Sequence, residues 1–238
     1  MTVRLRVSRS RAGDSKRHFD DFEANVGPGS TVLDALLDVR RRLDPSLVVR
    51  HSCRHASCGS CGVRVDGRPV LACDTRLDRR SSRPIVVEPL DGRAVVADLA
   101  TDMTDFYARM DAVGLPPVRT GEPADVVPPD GVGAFSRLES CIECGLCLAA
   151  CPVARTDGSF IGPAALAAAA RVVEEPRGHE LGPVLALAVE PDSIWRCRDA
   201  MECTAVCPAA VDPARALFGL RRRIAAERVR RLFRRAGG

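Results

Sequence analysis

Apolar and charged residues alternate through "VRLRV" (3–7), the period of a strand with one buried face. The same alternation runs more weakly through "FDDFEANV" (19–26). The period then lengthens. In "STVLDALLDVRRRL" (30–43) apolar residues recur at 33, 36, 37 and 43, and Ser30 or Thr31 can cap the first turn, so a helix is predicted. "GVRVDGRPVLAC" places Asp66-Gly67 between two apolar runs, the signal of a tight hairpin. "RPIVVEPL" (83–90) reads as a further strand. Strands, one helix and a hairpin predict a small α+β domain.

Residues 95–110, "VVADLATDMTDFYARM", put Val96, Leu99, Met103, Phe106 and Met110 on one face at helical spacing. Next comes "GLPPVRTGEPADVVPPDGVG" (114–133), with five prolines and four glycines, a linker or an extended wrapping segment. Beyond it the composition turns helical. "GPAALAAAARVV" opens with proline at a first-turn position, and "PARALFGLRRRIAAERVRRLFRR" runs to the tail. The division expected is a first domain over residues 1–106 and a second over 107–238.

Composition changes the picture mainly through cysteine. Hydrophobic residues make up 46% but aromatics only 4%, so the cores are expected to be aliphatic. The net charge of +4 is mild, and Lys16 is the one lysine among 35 basic residues. The opening "MTVRLRVSRSRAGD" has charges where a secretory signal would be apolar, and the chain has no run of 18 apolar residues. A cytoplasmic, soluble chain is therefore expected. There, eleven cysteines at ligand-like spacing point to metal, not to a disulfide framework.

The cysteines form three sets. Cys53-x4-Cys58-x2-Cys61, with Cys73 farther on, has the spacing of a plant-type [2Fe–2S] ferredoxin loop. Gly59 and Gly62 are expected to turn through positive φ and bring N–H groups toward sulfur. Zinc sites favour two separated pairs, so this uneven grouping argues against zinc. His51 and His55 flank Cys53 and are read as loop residues, since four cysteines already complete the set.

The other two sets repeat one frame. Cys141-x2-Cys144-x2-Cys147-x3-Cys151-Pro152 is the bacterial ferredoxin run, and Cys197-x2-Ala200-x2-Cys203-x3-Cys207-Pro208 copies it with alanine for the second cysteine. In such runs the fourth cysteine serves the other cluster. That rule gives Cys141, Cys144, Cys147 and Cys207 to a [4Fe–4S] cluster. It gives Cys151, Cys197 and Cys203 to the other, with Ala200 at the corner lacking a thiolate, which predicts a [3Fe–4S] cluster. An oxidised three-iron core is all ferric and should accept an electron more readily, which suits the exit end of a wire.

The three sets in this order resemble the iron–sulfur subunit of succinate dehydrogenase and fumarate reductase, from about Val3 to about Arg223. The resemblance lies in "SCRHASCGSCGVRVDGRPVLAC", "CIECGLCLAACP", "FIGPAA" (160–165), "WRC" ending at Cys197 and "CPAAVDPA" (207–214). It implies an N-terminal β-grasp [2Fe–2S] domain followed by an all-α dicluster ferredoxin domain. It also implies a flavoprotein partner carrying FAD, a membrane anchor (possibly heme-containing) and a quinone. The chain would lie peripherally on the cytoplasmic side of the membrane, would hold no catalytic residue for succinate or fumarate, and would pass electrons in either direction.

"FIGPAA" and "VDPA" look more like menaquinol-linked fumarate reductases. Val153, Ala154 and Arg155 stand where many succinate dehydrogenases have tryptophans, and Arg198 where they often have histidine. By the same resemblance Arg221 occupies a basic position near the quinone, or else a solvated helix face. Trp195 either shields a cluster or meets the quinone. From Arg215 to Arg235 the tail carries nine arginines against Glu227, a solvated face or an attraction to lipid headgroups and anchor loops. An iron–sulfur subunit serving another flavin dehydrogenase with a soluble partner is the alternative. Nucleic acid is not an expected partner, because base stacking has few aromatics to use.

Overall fold

The computed structural model describes residues 2–14, 16–77, 83–114, 138–174 and 181–236. The Pro- and Gly-rich stretch read as a linker lies outside the described residues, apart from Gly114. Two compact units form: Met1–Met103 with Ile142–Ala150, and Thr104–Cys141 with Cys151–Gly238.

In the first unit, β1 (Thr2–Arg9) and β2 (His18–Asn25) pair antiparallel, Thr2 against Asn25 and Arg9 against His18. Helix α1 (Val32–Arg42) follows. Strands β3 (Gly62–Val65) and β4 (Arg68–Leu71) make the hairpin, and β5 (Ile85–Glu88) lies between β1 and β3, parallel to the first and antiparallel to the second. The order β2-β1-β5-β3-β4 with one helix is the β-grasp arrangement of an α+β domain. The alternation read in β1 is the burial pattern found: Leu5 and Val7 are fully buried, as are Leu33, Leu36 and Val39 of α1. Each such side chain contributes about 1.5–3 kcal/mol of burial.

Local chemistry sets the joints. Thr31 caps α1: its hydroxyl accepts from Asp34 N, and the Asp34 carboxylate accepts from Thr31 N. Two orphan N–H groups of the first turn go elsewhere, Val32 N to Thr75 O at 2.8 Å and Leu33 N to Ala72 O at 3.0 Å. The start of α1 therefore fixes the backbone around Cys73. In the hairpin, Asp66 (φ 47°) and Gly67 (φ 83°) are both left-handed, as a two-residue type I′ turn requires.

Residues 95–110 are not the single helix predicted. They form β6 (Val95–Ala97) and β7 (Ala100–Thr101), and helix α2 begins only at Thr104 and ends at Ala112. The cause is Asp98, left-handed at φ 45° and buried. Its carboxylate accepts from Arg9 Nε (3.1 Å), Ser10 N (3.3 Å) and Val48 N (2.8 Å). A helix running through 98 would strip these buried donors of their acceptor, a loss larger than any helix propensity. The helical spacing survives within α2, where Phe106 and Met110 are buried.

Helix α3 (Leu146–Ala150) belongs to the first unit and packs on β4. The second unit is helical: α4 (Pro152–Thr156), α5 (Pro163–Glu174), α6 (Leu181–Val189), α7 (Glu202–Ala205) and α8 (Pro213–Ala236). Helix α5 is central and touches α2, α6 and α8. Its run Ala164–Ala170, broken only by Leu166, is wholly buried, and small side chains let neighbouring axes come close. Leu217, Leu220 and Ile224 give α8 its buried stripe. Arg109 of α2 donates to the carbonyls of Phe160 (2.7 Å) and Gly158 (3.0 Å), fixing the turn before α5. No helix among the described residues is long and apolar enough to cross a membrane.

Candidate metal centres

None of the eleven cysteines is joined in a disulfide. The loop from Cys53 to Cys58 wraps its amides around sulfur. His55, Ser57 and Cys58 N–H donate to Cys53 Sγ at 3.5, 3.3 and 3.3 Å, and Ala56 N–H donates to Cys73 Sγ at 3.3 Å. Those backbone donors, His55 first, lower the Cys53 thiol to about 7. Burial pushes the Cys61 thiol up to about 12, with Cys73 and Cys58 beside it. The four predicted ligands of the first set are thus together, in a site that offers amides to negative sulfur.

The turns in that loop fall partly on unexpected residues. Gly59 is left-handed (φ 71°) as expected, but so are Arg54 (64°) and Ala56 (59°). Gly62 is not left-handed; it opens strand β3. Glycine is needed at 62 for closeness, because a Cβ there would stand 3.0 Å from Leu90 Cδ1 and 3.4 Å from Leu146 Cδ2. His51 and His55 turn their rings toward the carbonyls of Val49 and Cys53, consistent with loop roles.

The two cysteine frames repeat in backbone as well as in spacing. The third residue of each is left-handed, Glu143 at 51° and Asp199 at 57°. So is the fifth, Gly145 at 69° and Met201 at 61°. Ala200 therefore sits in the conformational context of Cys144. A left-handed residue other than glycine costs about 1–2 kcal/mol, and the second frame carries one on each side of Ala200. Such strain persists only where surrounding contacts hold it.

Cys151, Cys197 and Cys203 line one recess, partly open to solvent, and Ala200 lines it with them. Phe160, Leu217 and Phe218 form apolar wall. Burial raises the Cys203 thiol to about 11, with the Cys151 and Cys197 thiols adding to the effect. Burial raises Cys197 as well. Among the described residues no three Cys, His, Asp or Glu side chains close on a point as ligands of one ion would. Three thiols lining one open recess fit a group held by cysteine sulfur at several points. Of the remaining frame cysteines, Cys144 and Cys147 lie in the first unit and Cys141 and Cys207 in the second.

The other predicted site residues take distinct places. Arg198 lines the recess. Trp195 is 41% exposed and has the Arg228 guanidinium 5.4 Å from its ring centre. Arg221 is turned inward on the second frame: it donates to the carbonyls of Ile194 (Nη2, 3.0 Å) and Cys197 (2.6 Å) and to the Asp199 carboxylate (2.8 Å). Arg223 donates to Val173 O at 3.2 Å, so at least two of the tail arginines serve the chain's own fold.

Known proteins share both halves. A family model for a 2Fe-2S iron-sulfur cluster binding domain matches residues 4–108, and one for a 4Fe-4S dicluster domain matches residues 137–211. A fumarate reductase iron-sulfur subunit of Mycobacterium tuberculosis is 36% identical over 221 residues, 90% of this chain and 89% of the relative. The chain belongs to the succinate dehydrogenase and fumarate reductase iron–sulfur subunits. A fumarate reductase iron-sulfur subunit of Escherichia coli is also 36% identical, over 86% of this chain and 85% of its own. A chain of the Mycobacterium smegmatis Sdh1 complex in the apo form superposes with a TM-score of 0.80 at 26% identity, covering 95% of this chain and 96% of that one.

For this iron–sulfur subunit, sequence reasoning missed Arg93, and for Arg221, which it placed near the quinone or on a solvated helix face, it missed the inward contacts. Arg93 of the first unit donates to Gly145 O at 2.9 Å, and Arg221 holds the loop of the second frame. Neither had a local signal, since an arginine in an arginine-rich chain looks the same wherever its acceptors lie.

Proposed function

We propose that this chain carries electrons between the FAD of a flavoprotein subunit and a quinone, menaquinone, at a membrane anchor. The ligand sets are Cys53, Cys58, Cys61 and Cys73 for [2Fe–2S], Cys141, Cys144, Cys147 and Cys207 for [4Fe–4S], and Cys151, Cys197 and Cys203 for [3Fe–4S]. The observation that carries the reading is the single recess lined by three cysteines and Ala200, in a backbone that repeats the first frame.

When bound, the clusters supply one-electron donors and acceptors, while the hydride chemistry on succinate or fumarate belongs to the flavin partner. The chain's own residues hold and tune. Amides of His55, Ala56, Ser57 and Cys58 favour negative charge on the first set. Phe160, Leu217 and Phe218 keep water from one side of the second frame. Such apolar walls set access and local dielectric, two levers on potential. The reading has the chain peripheral, held by an anchor subunit on the cytoplasmic face.

The test is EPR on the native complex, purified with its subunits identified. The oxidised complex should show a three-iron signal, and reduction should bring out two-iron and four-iron signals. Two four-iron clusters without a three-iron signal, in a preparation with intact iron, would overturn the reading.

A further inference from the structure

We propose that Arg93 is the positioning residue of the first cysteine frame. Its guanidinium lies over Gly145, holds the backbone between Cys144 and Cys147, and favours the reduced form of the cluster those cysteines bind; this rests on the four-iron reading above. Arg93, Met103, Cys144, Gly145 and Cys147 all belong to the first unit. Arg93 Nη2 donates to Gly145 O at 2.9 Å, and Nη1 reaches Met103 Sδ at 3.1 Å. Gly145 is buried. A Cβ there would stand 2.8 Å from Arg93 Cζ and nearer still to Nη2, closer than real side chains approach.

The second frame shows that backbone conformation alone does not call for glycine at this place. Its fifth residue, Met201, takes φ 61° against 69° at Gly145, yet carries a long, exposed side chain. What sets position 145 apart is the guanidinium packed onto it. The chain brings that guanidinium in through the same break that ends the helix predicted over 95–110. Ten residues of continuous helix would separate 93 from 103 by about 15 Å. Instead β6 and β7 double back, Asp102 N donates to Ala94 O at 2.8 Å, and Met103 returns to Arg93. Charge gives the contact its effect. Arginine stays protonated, and a carbonyl and a thioether are neutral acceptors that leave its charge in place. One electron arriving on the cluster adds one negative charge, which a cation held at the ligand loop stabilises. Lysine keeps the charge but not the flat fork that fits over a glycine.

The test is a redox titration followed by EPR on the purified complex with Arg93→Gln, Arg93→Lys and Met103→Leu. Arg93→Gln should shift the reduction equilibrium of the four-iron centre several-fold toward the oxidised form, which lowers its midpoint potential. Arg93→Lys should lower it less and broaden the reduced four-iron signal, since the charge remains but no longer lies flat on Gly145. The two-iron and three-iron potentials should move less than the four-iron one in both. Met103→Leu keeps the volume and removes the sulfur that aims Nη1, and should broaden the four-iron signal alone. A depressed melting temperature in Arg93→Gln with the wild-type four-iron potential and lineshape would reduce the arginine to a packing role and overturn the proposal. Should neither Arg93 variant assemble, Met103→Leu decides: a broadened four-iron signal supports the proposal, a wild-type one overturns it. Absence of a four-iron signal in the reduced wild-type complex refutes the cluster reading instead, and is measured first.

Discussion

The backbone of Gly59 lies against Cys144. A Cβ at 59 would stand 2.8 Å from Cys144 Cβ, 2.9 Å from its Cα and 2.7 Å from Ile142 O, closer than real side chains approach. Gly59 stands between Cys58 and Cys61 of the first cysteine set, and Cys144 is a proposed ligand in the first frame. The glycine thus sets how near the two loops come.

Two glycine substitutions isolate that closeness. Gly67 is left-handed too, at φ 83°, but a Cβ there meets nothing within 4 Å. Gly67→Ala should cost only the backbone penalty, about 1–2 kcal/mol. Gly59→Ala adds overpacking of about 1–3 kcal/mol and should depress the melting temperature several degrees further. It should also weaken the EPR spin coupling between the two-iron and four-iron centres. Equal melting temperatures with unchanged coupling would show that the close approach does nothing.

Ala200→Cys should place a thiolate at the corner that Cys144 occupies in the first frame. The change adds one sulfur beside the recess, so overpacking should be small. The oxidised three-iron signal should shrink, a second four-iron signal should appear on reduction, and electron transfer to quinone should slow while flavin chemistry persists. An unaltered three-iron signal would mean that residue 200 does not face the cluster.

Asp98→Ala should destabilise the first unit by about 3–5 kcal/mol, because it strips buried Arg9 of one partner and two amides of their acceptor. Asp20 and Asp44 still hold Arg9, so the low end of that range is expected. Arg11, half exposed at 3.7 Å from the same carboxylate, is the control: Arg11→Ala should cost under about 1 kcal/mol. Urea unfolding midpoints for the two variants would separate the cases, and similar losses would contradict the buried-network account.

Asp38 gives a pH prediction. Its buried carboxylate accepts from Arg42 and Arg41 and from Asn25 N at 2.7 Å, and the Arg42 hydrogen bond foremost holds its pKa well below the usual range. A depressed folded-state pKa means stability fully present above the unfolded value, about 3.9, and lost as pH falls toward the folded one. Wild type and Asp38→Asn should therefore differ in melting temperature by the same amount at pH 8 and pH 5, with the gap closing only below about pH 4. A gap that narrows between pH 8 and pH 5 would contradict this.

Much of the molecule was legible along the chain. The strand of Leu5 and Val7, the capped helix after Thr31 and the Asp66-Gly67 turn are each fixed by residues within a few positions of one another, where period and turn chemistry act directly. The cysteine spacing was equally plain, because short covalent loops limit which sulfurs can share a centre. On the proposed three-iron reading, the alanine at 200 is a missing ligand for the same reason.

Tertiary structure decided what depends on distant partners. Residues 95–110 carry helical spacing, yet Asp98 breaks the helix because Arg9 and Val48, 89 and 50 positions away, require its carboxylate. Gly62 serves closeness to Leu90 and Leu146, not a turn. Arg221 points inward because its acceptors, 22 to 27 residues earlier, return to meet α8 only when the chain folds. Local patterns record what a segment prefers; where a long side chain finds its partners is set by which segments the fold brings beside it.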